Sequence, residues 1–254
     1  MTPMLVPDIT ALAYQLRSLR MDVRQVLTNQ LVAVPSTIED AIKVQDQLSK
    51  LEGADVSALK VAKSPDGRPV VAPLHPYLDE PSDAEVAWRK DMRIEVEIAV
   101  RLGKDLPART GRAYQRNDIE AAISEVYLGA ELVWSGIAEY GSVSFLAFFA
   151  DRLGNAGYVK GPALPPAVLQ PGSEIPLKLW LNKHVAFDNA AQHPTKDVLT
   201  WLCDYANDGS RPASSLDTGT VITTGSLCGA VDVRAPCQVS IQLGEYTSLD
   251  FALS

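Results

Sequence analysis

The sequence is short of cysteine, histidine, basic residues and long apolar runs, and each shortage excludes something. Three cysteines in 254 residues, Cys203, Cys228 and Cys237, are an odd number at no metal-ligand spacing. They argue against a disulfide framework and point to reduced thiols in a cytoplasmic compartment. The three histidines, His75, His184 and His193, do not recur at metal spacing either, and each reads as structural. Lys and Arg number 23 against 31 Asp and Glu, a formal charge of −8. No basic stripe is present to neutralise phosphates, so no nucleic-acid partner is expected, and no anionic membrane. The most apolar stretch, Val143–Ala150, falls far short of the ~20 residues that cross a bilayer. The N-terminal MTPMLVPDITALAYQ has no basic region followed by an apolar block, as a secretory signal would.

What is present is an ordinary globular composition, 46% apolar and 21% charged. A chain this long buries roughly 70–75% of its unfolded surface and needs neither metal nor disulfide to hold a core. No repeat or flexible linker divides it. Leu12, Leu16, Leu19 and Val23 recur at helix spacing between Ile9 and Leu27. Ser36 followed by Glu39 reads as a capping box opening a second helix, with Ile38, Ala41, Val44, Leu48 and Leu51 on its apolar face and Gly53 as its stop. Beyond Gly53 the texture turns to strands at Leu59–Ala62 and Val70–Leu74. Ile94–Leu102 (IEVEIAVRL) is the clearest strand, with Ile94, Val96, Ile98, Val100 and Leu102 on one face at period two and Glu95, Glu97, Ala99 and Arg101 on the other. A helix capped at Asn117 and Glu120 is expected to bury Ile119, Ile123, Val126 and Tyr127. Strands at Glu131–Trp134, Tyr158–Lys160 and Leu177–Leu181, a helix near Thr195–Asn207 and C-terminal strands from Gly219 complete an α+β pattern.

Three features carry chemistry. Glu95 and Glu97 share one strand face, roughly 6.5–7 Å apart at Cα. An alternating strand ordinarily turns such a face to solvent; the alternative is a hard-cation site of oxygen ligands. Glu131, flanked by Ala130 and Leu132, is the candidate third carboxylate, because an acid in an apolar run is costly to bury unpaired. Lys60 stands in the apolar run ALKVA. It is either a snorkelling surface lysine or an acid, base or carboxylate anchor. Thr224, Gly225 and Ser226, in TTGSLCG, could offer N–H and O–H groups to a substrate carboxylate. The loop lacks the spacing of a serine-hydrolase nucleophile elbow.

These residues carry a family resemblance. RIEVEIAVRLGKDLPAR followed by AELVWS, with LKVAKSPDGRPVVAPL, FADRLGNAGYVKG, HPTKD and VITTGSLCGAV, in that order, resemble the fumarylacetoacetate hydrolase superfamily. The branch most similar is that of 2-keto-4-pentenoate hydratase and 4-oxalocrotonate decarboxylase. The resemblance covers roughly Ile38 to Phe251. It implies an α+β fold with a mixed β-roll/sandwich core after an N-terminal helical segment, residues 1–55 and then 56–254. It implies that Glu95, Glu97 and Glu131 hold Mg²⁺ or Mn²⁺, that Lys60 is the active-site lysine, and that Thr224, Gly225 and Ser226 lie beside the substrate. The implied substrate is a small anionic 2-oxo acid that chelates the metal, which stabilises its enolate, and the implied assembly is a homo-oligomer.

Departures accompany the resemblance. Ala62 stands where the family has glycine, Arg152 where it has asparagine and Lys160 where it has an apolar residue. Trp134 and Gly136 flank Ser135 where the family often reads D-S-R, so the substrate carboxylate is expected to be held differently. The leading expectation is a metal-dependent hydratase of a 2-hydroxy-2,4-dienoate in aromatic-compound degradation. The alternatives are a decarboxylase or tautomerase of a related 2-oxo acid, and a catalytically silent partner subunit.

Overall fold

The N-terminal periodicity becomes two helices packed against each other. In the computed structural model, which describes residues 3–54, 57–79, 85–138 and 143–254, α1 spans Val6–Met21 and buries Ile9, Leu12, Ala13, Leu16 and Leu19. It stops short of Val23, which has a φ of 49° and is 51% exposed. The second helix, α2, spans Ile38–Glu52. Its N-cap is Thr37 and not Ser36: the Thr37 hydroxyl accepts the Asp40 N–H at 3.1 Å. Gly53 ends it at a φ of 63°, a left-handed conformation that glycine adopts without steric cost. The expected segment boundary at 55/56 lies outside the described residues. Both helices share a hydrophobic cluster with Val70, Ala72 and Ile137.

The remaining elements in chain order are β1 (Ala58–Lys63), β2 (Pro69–Pro73), β3 (Tyr77–Leu78), β4 (Glu85–Val86), β5 (Arg93–Leu102), α3 (Arg116–Glu120), β6 (Ile123–Val133), α4 (Phe145–Ala150), β7 (Asn155–Ala163), β8 (Pro176–Leu181), β9 (His184–Ala190), α5 (Thr200–Ala206), β10 (Val221–Ser226), β11 (Val231–Asp232), β12 (Cys237–Leu243) and β13 (Thr247–Leu253). One expected helix is corrected. Only Arg116–Glu120 is helical, and Ile123, Val126 and Tyr127 belong to β6. Ten registered pairs with β5 and a β-branched, aromatic-rich sequence outweigh the local helix start.

The larger sheet runs β2-β1-β10-β5-β6-β7-β3, with β11 also pairing β5. Its two ends are neighbours in the chain, because β2 ends at Pro73 and β3 begins at Tyr77. Four residues reach at most about 14 Å, whereas seven flat strands are about 29 Å across. The sheet therefore curls until its edges approach. Its outer face packs on a second sheet, β4-β13-β12-β8-β9. Ile94, Val96, Ile98, Val100 and Leu102 of β5 share that core with Leu177, Leu179, Val239, Ile241 and Phe251. Each such side chain contributes about 1.5–3 kcal/mol when fully buried. The result is an α+β fold, a curled mixed sheet with a second sheet and an N-terminal helical segment.

Candidate metal centre

Because β5 buries its even-numbered residues in the inter-sheet core, Glu95, Glu97 and Ala99 face the inside of the curl. Register then builds the centre. Glu95 lies opposite Glu131 on β6, and Glu97 opposite Gly129. One oxygen from each of Glu95, Glu97 and Glu131 lies within 4.8 Å of the others. Glu97 and Glu131 are buried, at 1% and 0% exposure, and Glu95 is half-buried. Two unit charges about 5 Å apart repel by about 3 kcal/mol at an effective dielectric of about 20, so the group needs a counter-charge.

Lys60 supplies one. In a flat sheet β1 and β6 are three strand spacings apart, about 14 Å, yet the Lys60 Nζ donates to Glu131 Oε1 at 2.6 Å, which the curl alone permits. Lys60 is 8% exposed and does not snorkel. Burial works against its ammonium, but the carboxylates of Glu131, Glu95 and Glu97 outweigh burial and hold its pKa above the ordinary lysine value. Burial, reinforced by Glu131 and Glu95, pushes Glu97 well above the usual carboxylate range. Burial also raises Glu131, against the pull of Lys60. Glu97 Oε2 and Glu131 Oε2 are buried with no hydrogen-bond partner.

Sequence reasoning missed two residues here. Asn155 Nδ2 donates to Glu131 Oε1 at 3.1 Å, while its own Oδ1 accepts the His75 N–H at 2.8 Å. Tyr158, registered opposite Glu131, is fully buried with an unpartnered hydroxyl. It lies across Gly129, where a Cβ would collide with the phenol. Burial, then the charge of Glu97, holds that phenol neutral, well above its ordinary pKa. The available signal was two polar side chains, Asn155 and Tyr158, in the single mostly apolar strand β7.

The 224–226 loop divides. Ser226 is registered opposite Glu97, but its hydroxyl donates to the Gly229 carbonyl at 2.9 Å. The Thr224 hydroxyl is buried and donates to the Ile98 carbonyl at 2.8 Å. Thr223, between Lys60 and Ala99 in the registers, stands on the row that carries the lysine. Gly225 has a φ of 114°, and a Cβ there would meet His193 and Trp201 at 2.7 and 2.8 Å. His193 Nε2 lies 2.7 Å from the Thr224 carbonyl and braces the turn from behind.

Of the departures, Lys160 is ion-paired with Asp79 and lies 4.4 Å from the Tyr127 ring centroid. Arg152 pairs with Glu52 at 2.6 Å. At Gly136 a Cβ would meet the Leu19 side chain at 2.9 Å, so α1 occupies the space a side chain would need. The arginine beside this turn comes from α1 instead. Arg20 Nε donates to Asp151 Oδ1 at 2.6 Å, and Asp151 Oδ2 accepts Ser135 Oγ at 2.7 Å.

The curled sheet with an inward-facing carboxylate triad and lysine defines the class: an α+β protein with a buried acidic centre fit for a hard divalent cation. The family model for the fumarylacetoacetate (FAA) hydrolase C-terminal domain matches residues 55–251, and the chain belongs to that family. Among solved structures, it is similar to 4-oxalocrotonate decarboxylase from Pseudomonas putida G7 complexed with magnesium and adipate. There identity is 18% and the TM-score 0.76, with 100% of both chains covered. The same enzyme complexed with calcium and acetate gives 17% identity and a TM-score of 0.75 over 100% of both chains. No curated protein matches. Among the described residues, no helix is long and apolar enough to cross a membrane.

Proposed function

We propose that this chain is a divalent-metal-dependent lyase acting on a small anionic 2-oxo acid, and that its reaction is hydration of a 2-hydroxy-2,4-dienoate. The observation that carries this reading is the triad itself. Three carboxylates lie within 4.8 Å, with unpartnered buried oxygens on Glu97 and Glu131. That donor set, all hard oxygen, suits Mg²⁺ or Mn²⁺ held by Glu95, Glu97 and Glu131. When bound, the ion supplies Lewis-acid stabilisation of negative charge developing on substrate oxygens.

The protein's own groups supply the rest. Lys60 keeps its proton at neutral pH because three carboxylates surround it, so its Nζ can anchor a substrate carboxylate or deliver a proton to carbon. Glu131 fixes that ammonium by the 2.6 Å contact, and Asn155 fixes Glu131. Ala58, Leu74, Tyr77 and Tyr158 form an apolar cluster beside the centre that excludes bulk water and limits the substrate to a small acid. Three glutamates around a 2+ ion leave −1, and Lys60 brings the site to neutrality, so an anionic substrate is not repelled. The homo-oligomeric state belongs to the same proposal and is checked by light scattering.

Decarboxylation of a 2-oxo diacid is the second reading. Its support is the full-length likeness, N-terminal helices included, to 4-oxalocrotonate decarboxylase. The experiment is turnover of 2-hydroxypenta-2,4-dienoate and of 2-oxohex-3-enedioate with Mg²⁺, Mn²⁺ or chelator. The expected product of the first carries one added water. Release of CO₂ from the second, without hydration of the first, moves the assignment to decarboxylase. Absence of metal-dependent turnover of both sinks the enzyme reading and leaves a silent partner subunit.

A further inference from the structure

A second cluster of buried charge lies where α1, the end of α2 and the start of β7 meet. A cavity of about 360 Å³ there is lined by Arg17, Arg20, Arg89 and Arg152, with Glu52 and His75 as the other titratable side chains. None of the three glutamates or Lys60 lines it. Two of its guanidiniums are answered: Arg20 by Asp151 and Arg152 by Glu52, each at 2.6 Å. Among the described residues, Arg17 and Arg89 have no carboxylate at ion-pair distance. Arg89 stacks 4.8 Å from the Trp134 ring centroid, and its Nη1 is buried with no hydrogen-bond partner. Arg152 is 1% exposed, and its Nε is likewise unpartnered. Among the described residues, four guanidiniums against Glu52 and Asp151 leave the cluster at +2.

That excess cannot be shed as protons. Burial, with Arg20 nearby, pushes Arg152 down only to about 10, so it stays charged at neutral pH. The backbone is also committed to this placement. Arg152 and Leu153 have successive φ values of 57° and 53°, in the left-handed region that non-glycine residues avoid unless their surroundings impose it. Desolvated guanidinium forks present paired donors that match planar or tetrahedral oxyanions.

We propose that this cavity binds a small dianion with oxyanion groups, of the carboxylate or phosphate class, through Arg17, Arg89 and Arg152. The site is joined to the glutamate centre by one residue. Arg20 Nη1 donates to the Asn155 carbonyl at 2.7 Å, and the Asn155 side chain donates to Glu131.

The test is thermal denaturation and titration calorimetry of the full chain with inorganic phosphate and with succinate, at ionic strength matched by NaCl. At a hundredfold excess over Kd the midpoint should rise by roughly 5–10 °C. Arg89→Met should weaken the binding at least tenfold. Arg17→Gln, at the rim, should weaken it too, and keeps the test open if Arg89→Met does not fold. Glu95→Gln should leave it intact, which separates this site from the proposed metal centre. A response to phosphate alone or to succinate alone supports the site and names the source of the oxyanion. No response to either, a response equal in wild type and both arginine variants, or one abolished by Glu95→Gln overturns the proposal.

Discussion

The glutamate centre and the arginine cavity are joined through Asn155 and hold buried charge of opposite sign, −2 from Glu95, Glu97, Glu131 and Lys60, +2 from four arginines against Glu52 and Asp151. They are built differently. The acids sit on two adjacent strands, and ladder register alone brings them together. The arginines come from α1, from the loop before β5 and from the turn before β7, and only tertiary packing gathers them. Uncompensated charge of either sign is expensive to bury, so each cluster points to a ligand of the opposite sign. The strand-built one is rigid by construction.

The contrast breaks most sharply at Lys60. Lys60→Met should lower turnover by roughly 10²–10⁴-fold while calorimetry shows metal affinity little changed; loss of metal binding would mean the lysine only holds the carboxylates apart. Glu97→Gln should raise the metal Kd by at least about 10–100-fold, since even outer-shell losses cost that much. The same change should raise the metal-free melting temperature, because it removes one buried, mutually repelling acid. A lower melting temperature would contradict the repulsion argument.

Titration sharpens the comparison further. Glu97 has its folded pKa raised above the ordinary 4.5 by burial and by Glu131 and Glu95. The folded state therefore binds the proton more tightly than the unfolded one. Metal-free stability should be greatest below about pH 4.5 with respect to this group and fall as pH rises through its raised value. Saturating Mg²⁺ should abolish that fall, and metal affinity should drop on acidification as protons compete. Melting curves across pH with and without Mg²⁺ check both signs. A smaller effect is expected from Gly129→Ala, whose Cβ collides with the Tyr158 phenol: about 1–3 kcal/mol of overpacking strain, read as a lowered melting temperature. Smallest is Thr37→Ala, about 1 kcal/mol from the lost N-cap, which touches neither cluster and calibrates the rest.

The centre was legible because strand alternation is a short-range signal. The IEVEIAVRL pattern returns β5 and places Glu95 and Glu97 on one face, charged residues in apolar runs single out Glu131 and Lys60, and the family resemblance implies their roles. Asn155 and Tyr158 were not legible as neighbours of Glu131, since the bulged register of β7 on β6 leaves no trace in periodicity. Ile119 is a buried helix residue as its spacing predicts, but Ile123, Val126 and Tyr127 are not, because the pairing partner that makes Ile123–Val133 a strand lies outside any local window. β9, Val185 and Phe187 included, escapes a local reading for the same reason. The arginine cavity left no sequence signal at all: its members are scattered from residue 17 to residue 152, and one of them, Arg152, looked only like a departure from family pattern.

The parallel pairing of β1 with β10 sets a timetable for assembly. Ala58 and Lys60 pair with Val221 and Thr223, roughly 160 residues later, a separation that makes the contact slow to form. At about 5–20 residues per second of synthesis, the lysine strand waits roughly 8–30 s for its neighbour to leave the ribosome. Until then Lys60 has only the β2 hairpin beside it, and Glu95, Glu97 and Glu131 emerge without the strand that presents their counter-charge. The acidic centre is thus among the last things this chain completes.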